Sequence, residues 1–81
     1  MKIAKQDMIV IVGAGLFQLK AIEEAQKLGL RVLAVDRDPQ APGSMTADFF
    51  AAVSTRDMAG IIDVVRDYQE RFHVRGIMTA G

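Results

Sequence analysis

The segment Met8–Asp36 constrains the fold of this chain more than any other part of its sequence. It begins with Met8–Val12, a run of apolar residues rich in β-branched side chains, and a Gly-Ala-Gly turn follows at Gly13–Gly15. A strand that is apolar on both faces is typical of the centre of a parallel sheet that helices cover above and below. The glycines predict a tight turn from that strand directly into a helix.

The rest of this segment predicts a helix and a second strand. Apolar residues recur at every third position among charged ones, which is the pattern of an amphipathic helix of about three turns. These apolar residues are Leu16, Leu19, Ile22, Ala25 and Leu28. Gly29 is a candidate for a left-handed cap at the helix end. Leu30–Val35 predicts a second buried strand that ends at Asp36.

The second half of the chain repeats the alternation after a loop. Segment 37–48 holds both prolines and one glycine, so neither a helix nor a strand is expected to run through it. Phe49–Val53 predicts a third strand. Ser54 with Asp57 three residues later predicts a capping box that opens a second helix, in which apolar residues keep a three-four spacing from Met58 to Phe72.

The chain closes with a fourth predicted strand, Val74–Thr79, and Ala80 and Gly81 begin the loop beyond it. The order β-α-β-loop-β-α-β predicts an α/β fold with a small doubly wound parallel sheet. Right-handed crossovers favour the strand order 3-2-1-4 with the two helices on opposite faces. Ligands are then expected beyond the carboxyl ends of strands one and four, beside 13–18 and 79–81.

Composition narrows the class of protein. The 81 residues suit a single domain, and 51% hydrophobic with 25% charged residues is a globular profile. Ten basic and ten acidic side chains cancel, which removes the long-range attraction to nucleic acid or anionic lipid. No segment approaches the roughly 18 apolar residues of a membrane span, and the lack of cysteine excludes disulfides. We therefore expect a cytoplasmic domain without nucleic-acid or membrane partners.

The glycine turn has two interpretations. Unpaired N–H groups and the positive end of the helix dipole, at the helix start near Leu16, favour a phosphate or carboxylate ligand. Alternatively, Gly13 and Gly15 serve only to reverse the chain. Gln18 stands where the dinucleotide-binding fingerprint needs glycine or alanine, although Asp36 ends the second strand as a ribose-binding acid does. Half of an NAD(P)-binding Rossmann fold is therefore the alternative function.

Other polar residues carry weaker signals. Arg37 can meet a phosphate or remain solvated. Asp36 and Asp38 can act as a carboxylate pair, or can simply open the loop after the strand. His73 is expected near a helix end, where a cation is favourable. Phe17 can pack on the fourth strand or line the mouth of the pocket, and the pattern does not decide between them.

The residues from strand one to the proline loop resemble a known family. The run IVIVGAGLFQLKAIEEAQKLGLRVLAVDRDPQAPG combines a strand, a glycine turn, a helix closing in K-x-L-G and a strand ending in V-D-R-D-P. Together with 46–49 shortly before 54–57, it resembles the N-terminal, pre-ATP-grasp domain of ATP-grasp carboxylate–amine ligases. Biotin carboxylase, carbamoyl-phosphate synthetase and the ATP-dependent glycinamide ribonucleotide transformylase are more distant members of this family.

This resemblance implies a function. Such enzymes use ATP and magnesium to activate a carboxylate as an acyl phosphate, which an amine or similar nucleophile then attacks. Other domains hold the nucleotide and metal, so this chain is expected to be a fragment of a larger ligase, without a cofactor, metal site or catalytic residue of its own. Its partners are then the remaining ATP-grasp domains and a small-molecule carboxylate or amine substrate.

The resemblance also implies one wall of the acceptor site. It would be formed by the glycine turn and the end of the fourth strand. Asp36, which ends the second strand, and Arg37, which begins the following loop, are added as candidates. The residues that the resemblance supplies are Gly13, Ala14, Gly15, Leu16, Phe17, Gln18, Thr79, Ala80 and Gly81. Relatives that bind a ribonucleotide phosphate carry an acid in this turn, so the resemblance does not extend to a specific purine substrate.

Strands three and four are the expected edges of the sheet. Val74–Thr79 is apolar enough to pair with a second copy of itself. A homodimer through exposed sheet edges is therefore a further expectation.

Overall fold

Four parallel strands form the sheet of the computed structural model, which describes residues 4–79. The strands lie in the order β3-β2-β1-β4. The elements are β1 Gln6–Val12, α1 Leu16–Lys27, β2 Arg31–Asp36, a single 3-10 turn Pro42–Ser44, β3 Phe49–Ala52, α2 Met58–Gln69 and β4 Phe72–Thr79. The α/β class and the predicted order 3-2-1-4 are both confirmed.

The core is divided between the two faces of the sheet. Ile11 of β1 and Val32 of β2 point to one face, where they pack with Ile22 of α1. Side chains of the opposite parity point to the other face, as Leu33 does, and they pack with Ile61 of α2. Successive side chains of a strand alternate between faces, so a strand covered on both sides must be apolar throughout. The predicted placement of the helices on opposite faces is confirmed.

Helix α1 buries less of its apolar stripe than its spacing suggests. Ile22 and Ala25 are buried, but the two ends of the stripe are exposed, Leu16 by 73% and Leu28 by 80%. Only the middle of the helix contributes fully buried side chains to the core. At its end, Gly29 adopts the left-handed conformation expected of a cap, with φ at +86°.

The start of helix α2 differs from its prediction. Asp57, and not Ser54, is the N-cap residue, and its Oδ1 accepts the amide hydrogen of Gly60 at 2.9 Å. The Ser54 hydroxyl instead accepts the amide hydrogen of Arg56 at 3.2 Å within the preceding turn. The predicted capping box is wrong because both residues are good local acceptors and the spacing alone did not decide between them.

Asp57→Ala is expected to lower the free energy of unfolding by about 1 kcal/mol, since a helix cap is lost. Ser54→Ala is the matched control and is expected to have less than half that effect, because the hydroxyl serves one turn outside the helix. Urea denaturation followed by circular dichroism measures both. An equal or larger loss in the Ser54 variant would restore the capping-box assignment.

The end of helix α2 also differs from its prediction. The apolar spacing runs on to Phe72, but α2 ends at Gln69 and Phe72 is the first residue of β4. Phe72 is buried, and its ring lies 5.3 Å from that of Phe49 and 6.2 Å from that of Tyr68. The first residue of β4 thus happens to continue the apolar spacing of α2, and the sequence pattern alone predicts one helical turn too many.

Strand β4 contains an irregularity that shapes the open edge of the sheet. Met8 pairs with Val74 and Ile9 pairs with Gly76, so Arg75 is an extra residue in β4. The bulge lies beside Asp7, whose carboxylate is 3.3 Å from His73 Nδ1 and 3.6 Å from Arg75. His73 therefore lies in a strand and contacts an acid, not the helix end that the sequence suggested.

The edges of the sheet are β3 and β4, as predicted. Ile77 and Met78 of β4 are exposed there. Pairing of two copies through these edges stays a prediction. Within residues 4–79, neither helix has the length and apolar character that crossing a membrane requires.

Candidate functional site

The glycine turn connects β1 to α1 at the carboxyl edge of the sheet. Gly13 has φ at +108°, a conformation that residues with side chains rarely adopt, and its amide donates to Val35 O at 2.6 Å. Gly15 is the N-cap of α1 in extended conformation, without a side-chain cap, and the first turn holds no acidic residue. The N–H groups of such a turn create a positive local potential that favours an anion.

An internal carboxylate already uses part of this potential. Asp36 Oδ2 accepts the amide hydrogen of Ala14 at 2.9 Å, and Oδ1 accepts that of Asp38 at 3.0 Å. Asp38 Oδ1 in turn accepts the amide hydrogen of Gln40 at 2.9 Å. Of the two interpretations of this acidic pair, the structure supports the opening of a loop. Residues 4–79 contain no group of three potential metal ligands.

The loop after β2 packs against the glycine turn. Gly43 is buried, and its amide donates to Ala14 O at 2.7 Å. A Cβ atom at this position would lie 2.7 Å from Ile22 Cδ1 and 3.1 Å from Ala14 O, so only glycine fits without movement. Ala14 is therefore held on both of its backbone polar groups, which fixes the path of the turn.

A depression of about 440 Å³ opens in front of the turn, between the carboxyl ends of β1 and β4. This is the place where the strand order predicts a ligand. Its lining residues are Val12, Gly13, Gly15, Gln18, Asp36, Thr55 and Thr79. Five of the sequence candidates thus meet here. Thr55 was missed, although its position just after strand three places it at the same edge of the sheet.

The other candidates lie elsewhere. Ala14 is fully buried and contributes its backbone only, whereas Leu16 is exposed. Phe17 is 93% exposed, so it does not pack on β4, and it does not line the depression. Arg37 lines a neighbouring depression. Ala80 and Gly81 lie outside the described residues.

Gln18 covers the glycine turn. A Cβ atom at Gly15 would lie 3.0 Å from Gln18 Oε1, and one at Gly13 would lie 3.4 Å from Gln18 Cδ. The side-chain amide of Gln18 therefore lies close to both glycines. In a dinucleotide-binding fingerprint a small residue stands at the position of Gln18 and leaves this space open. The position of the Gln18 side chain and the hydrogen bonds of Asp36 to two backbone amides do not favour a bound NAD(P).

Comparison with known proteins identifies sequence relatives of one kind. No model of a known protein family matches the chain. Three curated relatives are formate-dependent phosphoribosylglycinamide formyltransferases. The protein of Prochlorococcus marinus is 29% identical over 85% of this chain, that of Paraburkholderia xenovorans 36% over 82%, and that of a Sulfurovum species 28% over 79%. The chain spans only 16–18% of the length of these relatives.

The fold and the glycine turn define a doubly wound α/β domain with its candidate ligand site at the carboxyl edge of the sheet. The formyltransferases are ATP-grasp enzymes, and this chain is a sequence relative of them, consistent with an N-terminal domain. The resemblance to the ATP-grasp ligases that the sequence suggested is thereby confirmed.

Proposed function

We propose that this chain is the N-terminal, substrate-side domain of a larger ATP-grasp ligase, and that the depression at the glycine turn forms one wall of its acceptor site. The proposal rests mainly on the extent of the sequence match. A match over 69 residues of an 81-residue chain includes both the glycine turn and Asp36, wherever it begins. These residues also meet at the sheet edge where parallel α/β folds bind ligands.

Each group at the corner has a role in this proposal. The first-turn amides of α1 attract a negatively charged group of the substrate, either a carboxylate or a phosphate. Thr55 and Thr79 add hydroxyl groups that can donate to or accept from an amine or carboxylate. Asp36 holds the turn in shape through the Ala14 amide. The domain therefore binds and orients the substrate, and contributes no proton transfer or nucleophile.

The residues that line the depression at the glycine turn do not fit a nucleoside triphosphate with its metal ion. The turn carries no lysine, and with Asp36 beside it the corner has too little positive charge to balance the several negative charges of a triphosphate. We therefore assign ATP and magnesium to the rest of the larger protein. Carboxylate activation and ligation to an amine take place only when those domains are present.

Nuclear magnetic resonance of the ¹⁵N-labelled chain tests the proposal. Phosphoribosylglycinamide, the compound named in the relatives, is expected to shift the amide signals of Gly13, Gly15 and Thr79 in a saturable manner. Gly15→Ala is expected to weaken this binding, because the added methyl group enters the depression beside Gln18. Gly76→Ala is the matched control, since a Cβ there meets nothing within 4 Å.

Isothermal titration calorimetry tests for two results that would contradict the proposal. Micromolar affinity of the 81-residue chain for Mg-ATP would contradict a purely substrate-side role. Saturable binding of NAD or NADP that is lost in Asp36→Asn would favour the Rossmann half-domain instead. The asparagine variant is used because its carbonyl oxygen can still accept one of the two backbone hydrogen bonds.

A further inference from the structure

An apolar groove of about 310 Å³ lies between α2 and β4. Val10 pairs with Ile77, and residues that pair in parallel strands point to the same face of the sheet. Because Val10 belongs to the core on the α2 side, Ile77 also points to that side. The groove therefore opens on the face of the sheet that α2 covers. Its lining residues are Val12, Thr55, Met58, Ile61, Ile62, Val65, Arg66, Gln69, Ile77 and Thr79.

Helix α2 presents apolar side chains in two directions. Ile61 and Val65 are buried in the core against the sheet. Met58 and Ile62 also line the groove and are 66% and 45% exposed, and Ile77 of β4 is 54% exposed. An apolar patch to which a helix and a strand both contribute is typical of a surface that another part of a protein covers.

The strand order indicates which kind of element fits this groove. Among residues 4–79, β4 pairs with β1 alone, so its other edge is open. α1 connects β1 to β2 in one direction along the sheet, and α2 connects β3 to β4 in the opposite direction. A connection from β4 to a further parallel strand on its open edge continues in the direction of α2. A right-handed crossover then places its helix on the α2 face, where the groove lies.

The length of the relatives leaves room for such a connection. The chain spans 16–18% of the length of the formyltransferases. In the larger ligase proposed above, most of the protein therefore lies beyond this domain. An element that follows β4 reaches the groove directly, because Thr79 at the end of β4 is one of the lining residues.

We propose that the groove between α2 and β4 binds an amphipathic helix of the larger protein, which follows β4 and leads to a fifth parallel strand on the open edge of β4. This inference rests on the proposed function, since the helix belongs to the larger ligase. The helix returns from the carboxyl edge of the sheet to the amino edge, as α2 does, and lies beside it. Because α2 has 12 residues, the groove accepts a helix of about three turns.

This helix also completes the candidate acceptor site. Val12, Thr55 and Thr79 line both the groove and the depression at the glycine turn, so the two are neighbours. The first turn of the bound helix lies at the carboxyl edge of the sheet, beside Thr79. It therefore closes the depression on the side of β4 and shields a bound substrate from water there.

An extended version of the 81-residue chain tests the groove. A flexible Gly/Ser linker of about four residues and a designed helix of about 14 residues are added after Gly81. The helix carries leucines at i, i+3, i+4 and i+7 spacing. We expect it to raise the urea midpoint of unfolding by about 1 M, because it buries the exposed apolar side chains of the groove. The same extension with serines in place of the leucines is the control and is expected to give no rise. No rise with the leucine helix would overturn the proposal.

Substitutions in the groove show where the added helix binds. Ile62→Lys and Ile77→Lys are each expected to remove most of the rise in the urea midpoint, measured against the same variant without the extension. Leu28→Lys is the matched control, because Leu28 is an exposed apolar residue on α1, outside the groove. It is expected to leave the rise unchanged. An equal rise in all three variants would mean that the helix binds elsewhere, which contradicts the proposal.

Sedimentation velocity tests a second copy of the chain as the occupant of the groove. Ile62→Lys is expected to sediment as the unchanged 81-residue chain does, because pairing of two copies through sheet edges uses the β4 backbone. A dimer that dissociates in Ile62→Lys would assign the groove to a second copy and overturn the proposal. The urea midpoints require no ligand, whereas titration with phosphoribosylglycinamide requires no extension. Failure of the groove proposal and failure of the acceptor site are therefore distinguishable.

Discussion

Leu33→Ala is expected to lower the free energy of unfolding by about 2–5 kcal/mol, as large-to-small changes in a close-packed core do. Leu33 is fully buried in the middle of β2 and packs in the core on the α2 side of the sheet. A chain of this length has a total stability of about 4–12 kcal/mol. The variant is therefore expected to lose a large share of its stability and to unfold at a markedly lower urea concentration.

Leu28→Ala is the matched control for this experiment. Leu28 is 80% exposed at the end of α1, so removing its side chain exposes no core and leaves no cavity. Urea denaturation monitored by circular dichroism gives both free energies. Similar losses for the two variants would mean that the burial of β2 does not stabilise the fold in the way described.

Loss of the Leu33 side chain is expected to affect the candidate site, because Leu33 and the site residue Asp36 belong to the same strand, β2. The strand ends at Asp36, whose carboxylate binds the Ala14 amide, and Val35 O accepts from Gly13. Loss of β2 packing is therefore expected to loosen the glycine turn together with the core. Hydrogen exchange at the Ala14 amide reports this directly.

The central part of the fold was predictable because its determinants are local. The run Met8–Val12 and the four residues before Asp36 are apolar at every position, and only a strand covered on both faces buries such a run completely. Glycines mark the turns on either side of α1. These signals require no knowledge of distant contacts, which is why strand order and helix placement were also correct.

The wrong predictions concern features that are determined by contacts between residues far apart in the sequence. Leu16 and Leu28 continue the helical spacing, but they stand at the two ends of α1 and are exposed. Phe72 continues the apolar spacing of α2 but is the first residue of β4. The extra residue Arg75 has no signature in the sequence, because a bulge appears only when two strands pair.

The candidate site divides in the same manner. Gly13 and Gln18 were placed by their position after strand one, and the structure puts them in one depression. Thr55 follows strand three and was therefore expected at the same edge of the sheet, but its position in the sequence does not show that it reaches the depression between β1 and β4. Phe17 was undecided because periodicity says nothing of a residue off the apolar stripe. Arg37 and Arg56 line a separate depression, and neither the spacing nor the composition of the sequence predicts that these two residues lie together.

Asp36→Ala is expected to lower the free energy of unfolding by about 1–3 kcal/mol, the range for leaving a buried donor unsatisfied. Ala14 is fully buried, and its amide depends on Asp36 Oδ2 at 2.9 Å. Removing the carboxylate also frees the Asp38 amide at the start of the loop. Asp36→Asn is expected to lose less, because one carbonyl oxygen remains to accept.

Thermal and urea denaturation measure this loss, with Asp63→Ala on the exposed side of α2 as the control expected to change little. The result separates two roles that look identical in the sequence. An acid that holds the turn stabilises the empty protein, so its removal lowers stability in the absence of any ligand. An acid kept for a ribose hydroxyl affects only binding, and unchanged stability in Asp36→Ala would therefore return the glycine turn to the dinucleotide-binding class.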